Sequence, residues 1–524
     1  GGDASDRALP YLLQAADSAL RLHAVHEAIA AYDRARPIAR AKPAGEDVTA
    51  DLIAIYTGHG RALELLSRFV EANATYEELE ALGRERGDPA LELAAVIAQG
   101  TLHGNVTPLY NPVRGRALME RARQLAETTG NRAAEVRILW NLVNIDRFDV
   151  NSLENALANG ERAISMAREL GLKEELAYLL NDMGDIYGTS GRIDQARATL
   201  TEARGLWREL GNEGMLADSL SNSSSWDLLH GEARSALAYA EEANAISIRL
   251  GNIWGEAYSL GVRGNALGLL GLFGRSIADM QAAIATAQTA NFLGGQIIAG
   301  AFVSRVLLAV GDVAGAAEYA REAIATAEAH LPQFAGMGLG RLALAQIALG
   351  DVDGAAQTLA NPLADLEMQQ YFVLYDINVA RTGLALAQEQ YEQALTVADN
   401  GLRQLAHIGA DAWLPDLRHQ RARALMALGR LDEAAGELAA AIDAARRLEI
   451  RGGLWQALIT RVELARLRGE PDDEWRAEAA AEIDYLAANT YPDAYRAIFL
   501  ARPDVRRIRG ESGQWSVVSG QWSD

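Results

Sequence analysis

Apolar residues recur at helical spacing along most of this chain, in segments of about fifteen residues parted by a glycine or a Leu-Gly pair. Leu170-Gly171, Leu210-Gly211 and Leu250-Gly251 stand at a 40-residue step, and Gly191, Gly231, Gly271 and Gly311 keep the same step between them. The pattern predicts a helix, a tight turn, a second helix and a Gly-ended exit, written again and again. A unit of this length cannot bury its apolar stripe alone and must stack on its neighbours. Contacts are therefore expected between consecutive units, and contacts that skip between distant units would count against the reading.

Taken in order, Asp6 is a fair N-cap for a helix from Arg7 to Leu22, with Pro10 in its first turn and His26 to Ala39 as its partner. A connection from Arg40 to Asp47 holds Pro43 and Gly45, and a second pair runs from Val48 to Arg86. The third unit turns through a long stretch from Gly100 to Arg116, rich in Pro, Asn and Gly, which reads as a loop. Residues 1–130 thus form less regular helix pairs, with exits at Gly45, Gly87 and Gly130. Residues 131–490 form the regular array, with exits at Gly171, Gly211, Gly251, Asn291, Leu331, Gln370, Gly409 and Ile450. A capping helix is expected over 491–503. A disordered, low-complexity tail is expected over 504–524, where two near-identical Ser-Gly-Gln-Trp-Ser segments carry Trp515 and Trp522. The expected fold is all-α, an α-α superhelix of about twelve antiparallel helix pairs.

Inside one unit, Gly184, Tyr187, Ala196, Leu200 and Ala203 occupy positions 8, 11, 20, 24 and 27. Gly264, Ala316 with Ala320 and Ala323, and Ala434 with Leu438 and Ala441 repeat the arrangement. Small residues at 8 and 20 let the two helices of a pair approach, and a large residue at 11 fills the space beside them. This pattern is similar to the tetratricopeptide repeat, although the 40-residue unit is longer than the usual form. The longer form resembles the sensor arms of bacterial signal-transduction ATPases of the STAND type, and the opening from Arg7 to Tyr32 looks like the first repeat after their ATPase module. In those families the module is joined to a nucleotidyl cyclase or a LuxR-type DNA-binding domain. The resemblance implies an ATPase upstream of Gly1 and a bacterial, cytoplasmic setting.

Composition narrows the function. A formal charge of −21 opposes general binding of nucleic acid or of an anionic membrane surface. The chain has no cysteine, so disulfides, thiolate metal sites and cysteine nucleophiles are ruled out. The longest apolar run, Gln296 to Val310, contains Arg305 and reads as too short to span a bilayer. Neither lysine, Lys42 or Lys173, sits in a P-loop. Gly336, Gly338 and Gly340 have the wrong spacing for a dinucleotide loop and are expected to serve close helix packing. The histidines do not form a zinc motif, and paired carboxylates fall at helix starts and solvated faces. No catalytic site, metal site or cofactor is expected.

One constellation remains. In such superhelices the first helix of each pair lines the concave side. At 40-residue steps, position 5 reads Asn141, Asn181, Ser221, Gly261 and Ala301, and position 9 reads Ile145, Asp185, Ser225, Asn265 and Arg305. Asn144 lies close by, and Trp140, Trp226 and Tyr258 add aromatic surface. The run from Ser219 to Ser225 is costly in a helix, because Ser and Asn compete with the backbone. Either these residues form a polar groove, or their small size serves packing. The first alternative makes the chain a non-catalytic sensor that binds a partner protein, a peptide or a small inducer on its concave face. The second makes it a structural spacer or oligomerisation scaffold.

Overall fold

The computed structural model describes residues 2–21, 24–42, 48–147, 152–364, 371–510, 514–515 and 522–523. Among these, twenty-four helices from Gly2–Arg21 to Asp473–Ala488 form twelve successive pairs. Each helix packs on the one before and the one after, and the first helices of neighbouring pairs also touch. That is the stacking a repeat needs to build one continuous core. Two short helices, Asp493–Ala501 and Pro503–Ile508, close the array.

The period is set by the backbone. Gly171, Gly191, Gly211, Gly231, Gly251, Gly271, Asn291 and Gly311 all have positive φ, one every 20 residues. At Gly171 the left-handed turn lets the N–H of Leu172 reach back to the Ala167 carbonyl at 2.9 Å, which satisfies the end of the helix. Glycine carries no Cβ penalty there, and Asn is the next most tolerant residue.

Packing within units follows the expected positions. Tyr187, Ala196, Leu200 and Ala203 are buried. A Cβ on Gly184 would lie 2.6 Å from Leu200 Cγ, so a glycine at position 8 is a condition of close approach. Gly336, Gly338 and Gly340 sit inside the helix Ala335–Ala348, not in a phosphate loop. A Cβ on Gly340 would stand 2.6 Å from the Asp376 carbonyl oxygen. Backbone cannot step aside as a side chain can, so Gly340→Ala is expected to cost about 2 kcal/mol, read as a lower urea midpoint at unchanged m.

Several features depart from the sequence expectations. The first helix starts at Gly2, not after an Asp6 cap, and Pro10 lies within it. The long loop after Gly100 shrinks to residues 105–111, because Gly104 and Gly115 lie in helices, Gly104 packed against Ile145 and Gly115 against Ile145 and the backbone of His103 and Gly104. The regular array is interrupted by the short helix Val352–Leu359, and the exits expected at Gly45 and Gln370 lie outside the described residues. The tail does not begin at Asp504: Val505 and Ile508 are buried, so the chain stays helical to Ile508. Beyond it, Gln514–Trp515 and Trp522–Ser523 form a two-residue antiparallel strand pair, and the rest of 511–524 lies outside the described residues. The apolar run belongs to an 18-residue helix, Leu293–Val310, long and apolar enough to cross a bilayer. Most of it is buried among its neighbours, which accounts for its composition.

The largest departure concerns contacts. Units more than five repeats apart do meet, along a seam. Arg234 pairs with Glu449, and the Tyr485 hydroxyl donates to the Leu270 carbonyl, each pair 215 residues apart. The Gly274 N–H donates to the Asn489 carbonyl at 2.8 Å, and Arg502 caps the Leu308 carbonyl at 3.1 Å. The near-constant offset explains the finding. The superhelix completes a turn and rests on itself, so the skipping contacts are turn against turn and the spine between neighbours is intact.

Candidate functional site

The inner face of the superhelix forms a central cavity of about 840 Å³, partly open to solvent. Its floor and one wall are the first helices of three consecutive pairs, Lys173–Thr189, Glu213–Leu229 and Ile253–Leu269, together with Leu293–Val310. The lining residues keep helical spacing. Tyr178, Asp182 and Asp185 fall on one face; Asp218, Asn222 and Ser225 on the next; Tyr258, Val262 and Asn265 on the third. The opposite wall comes from the N-terminal units, with Arg61, Glu64 and Phe69 among its residues. Ser67 Oγ donates to the Ala290 carbonyl at 2.5 Å and ties that wall to the array.

The cavity is aromatic to a degree the chain is not. Four of the nine tryptophans line it, Trp140, Trp207, Trp226 and Trp254, in a sequence only 6% aromatic. They form two groups. Tyr178 stands between Trp140, centroids 5.4 Å apart, and Trp207, edge-on at 4.8 Å. Trp254 lies 4.4 Å from Phe292 and 5.5 Å from Tyr258. Such pairs hold each other's rings in fixed orientations, which makes rigid walls.

Polar groups are anchored between the two aromatic groups. Asp182 accepts from Trp140 Nε1 at 2.7 Å and from Asn144 Nδ2 at 3.1 Å, and Arg147 reaches Asp185 at 3.5 Å. Asn181 Nδ2 donates to Asp218 at 3.0 Å, while Asn181 Oδ1, buried, has no partner. Trp207 Nε1 is likewise buried without an acceptor. Tyr258 donates to Asn222 Oδ1 at 2.6 Å. Burial, and then the nearby Asp182 carboxylate, push the Asp218 carboxyl up to about 6, against smaller opposing effects from Asn181, Arg147 and Arg61. Burial also raises Asp185. Among the described residues, no group of three or more His, Asp or Glu side chains converges as a metal site would.

The raised Asp218 carboxyl has a consequence for stability. The folded state holds this proton more tightly than the unfolded chain, so native stability from this group rises as pH falls from about 6 toward the ordinary 3.8 and is lost as pH climbs back through 6. Asp218→Asn keeps the bond from Asn181 and removes the charge. The free variant is expected to be more stable than the parent by on the order of 2 kcal/mol at pH 7.5 and equal to it at pH 4, read by urea melts at both values.

The residues singled out from sequence divide. Asn181, Asp185, Ser225, Trp226, Tyr258 and Asn265 line the cavity. Asn141 and Ser221 do not; both are buried and bond the carbonyl one turn back, Arg137 and Ala217. Asn144 stands behind the wall and holds Asp182. Arg305 also lies off the cavity, over the Phe302 ring and bonded to Asn265 Oδ1. The serine run serves mostly packing: Ser223 bonds the Ser219 carbonyl and Ser224 the Ala236 carbonyl on the partner helix. Sequence reasoning missed Tyr178, Asp182 and Asp218. Their signal was present, since Tyr178, Asp218 and Tyr258 keep the 40-residue step one turn before positions 5 and 6.

No protein-family model matches the sequence, and no curated protein matches it significantly. Solved structures do match in shape. A Rap protein, crystallised with Competence and Sporulation Factor, shares 15% identity over 68% of this chain and 98% of its own, with a TM-score of 0.50. The chain is also similar to aspartyl phosphate phosphatase F from Bacillus subtilis, at 14% identity, 76% and 94% coverage and a TM-score of 0.40. It is similar too to a STAND ATPase with a tetratricopeptide repeat sensor from Pyrococcus horikoshii, at 12% identity, 89% and 74% coverage and a TM-score of 0.37. The repeat geometry and the Rap likeness define the class: this is an all-α superhelix of tetratricopeptide type.

Proposed function

We propose that this chain is a non-catalytic binding module that senses a ligand held in its central cavity. The observation that carries this reading is the lining of the cavity, where Asp182 and Asp218 stand between the aromatic groups of Trp140 with Tyr178 and of Trp254 with Tyr258 and Phe292. A cavity of about 840 Å³ is of the size that takes a small molecule or a few side chains of a peptide. The Rap protein, solved with a factor bound, supports a ligand-holding role for such a superhelix. The resemblance of residues 7–32 to a post-ATPase repeat supports a place in signal transduction.

The cavity tryptophans supply the test. A size-fractionated cell extract is titrated against the purified protein while indole emission is followed. A fraction is expected to shift the emission of the parent, and Asn181→Ala is expected to weaken that response about tenfold. Emission that no fraction moves would favour the spacer reading, whose own signature is self-association that depends on the seam or the outer face.

A further inference from the structure

Six carboxylates line the cavity against three guanidiniums, so its interior is negative as well as aromatic. Two of the cations are already engaged, Arg61 with Glu64 at 3.0 Å and Arg147 with Asp185. Asp218 is not: among the described residues no Arg, Lys or His stands within ion-pair distance of it, and its one hydrogen bond comes from the neutral amide of Asn181. A half-buried carboxylate facing an aromatic cavity without a counterion is a site short of one positive charge. The ring groups on either side, Trp140–Tyr178 and Trp254–Tyr258–Phe292, present the π surfaces that attract a cation and pack an apolar body, with Trp207 buried behind Tyr178.

The cation is organic. The carboxylates do not converge as a metal shell would, and the aromatic walls supply none of the oxygen ligands that a hard metal ion needs. It is also small. The cavity of about 840 Å³ sets the size, and the N-terminal units meet the array on one side of it at Ser67–Ala290, where a Cβ on Gly294 would lie 3.8 Å from Val106 Cγ1.

Resting on the reading of the cavity as a binding site, we propose that it selects a low-molecular-weight protonated amine or guanidine with an apolar body. The cationic head is held by Asp218 and Asp182, and the body lies between the two aromatic groups.

Three probes of one shape test this by calorimetry: 4-phenylbutylammonium, 4-phenylbutan-1-ol and 4-phenylbutyrate. The ammonium is expected to bind at least about tenfold tighter than the alcohol, and the carboxylate not at all. Asp218→Asn, checked for native circular dichroism, is expected to erase that preference while leaving the alcohol within about twofold. Trp254→Leu, checked likewise, is expected to weaken ammonium and alcohol together. Equal binding of ammonium and alcohol overturns charge selection yet leaves the cavity as a binding site. Binding of none of the three overturns the inference, and the extract titration then decides the broader reading alone. An acetylated pentapeptide with a single arginine that binds tighter than the ammonium overturns the small-molecule source.

Discussion

Asp376→Ala is expected to destabilise the protein by about 3–5 kcal/mol, enough to lower the urea midpoint sharply. Arg341 and Asp376 are both almost fully buried and bonded to each other, with the Arg341 guanidinium also 5.4 Å above the Tyr375 ring. Arg341 Nε and Asp376 Oδ2 have no hydrogen-bond partner, so the bond between the two residues is the main compensation either charge has. Alanine at 376 leaves a permanently charged guanidinium in a dry interior, and that uncompensated charge is the main cost. The double replacement Arg341→Met with Asp376→Leu is expected to recover most of the loss, because removing both charges removes the desolvation with them. A single variant as stable as the parent would show that water reaches this pair.

The second large effect is expected at the seam. Phe499 is fully buried between Phe273, edge-on at 6.4 Å, and Trp455, edge-on at 5.4 Å, with Arg502 lying 5.0 Å over the Trp455 ring. It therefore joins helices Phe273–Thr289 and Arg451–Arg468, which belong to successive turns of the superhelix. Phe499→Ala is expected to cost about 3–5 kcal/mol, and to enlarge the radius of gyration seen by small-angle scattering as the turns separate. The exposed Arg234–Glu449 pair crosses the same seam but should matter little: Glu449→Ala is expected to change stability by less than about 1 kcal/mol. If Phe499→Ala left scattering and melting unchanged, the turns would be held by something other than this aromatic contact.

Much of this architecture was legible residue by residue. The left-handed turns fall where Leu-Gly pairs and lone glycines mark them, because few other residues accept positive φ. Gly184 against Leu200, and Gly340 against the Asp376 backbone, show why small residues recur at fixed places in the unit. Where reading by composition failed, it took packing glycines for loop glycines, as at Gly104 and Gly115. A glycine demanded by a neighbouring helix looks the same in sequence as one demanded by a turn.

The site was half legible. Position 9 delivered Asp185, Ser225 and Asn265 to the cavity, but position 5 turned largely inward, burying Asn141 and Ser221. A rotation of one residue around a helix, about 100°, separates a groove residue from a core residue. Periodicity alone does not set that rotation; the packing of the partner helix does. The same limit hid Trp207 and Phe292, which lie at the far ends of units and reach the cavity only because the array curves.

What the sequence determined by itself is local: helix, turn, helix, a 20-residue rhythm of left-handed residues and a shared apolar stripe, all properties of residues within one unit or its immediate neighbour. Only the tertiary structure decided that the array winds far enough to lie on itself, that Phe499 meets Phe273 across a full turn, and that Asp218 is left without a counterion. Those outcomes depend on small rotations between successive units, summed over many of them, and no single unit's sequence records the sum.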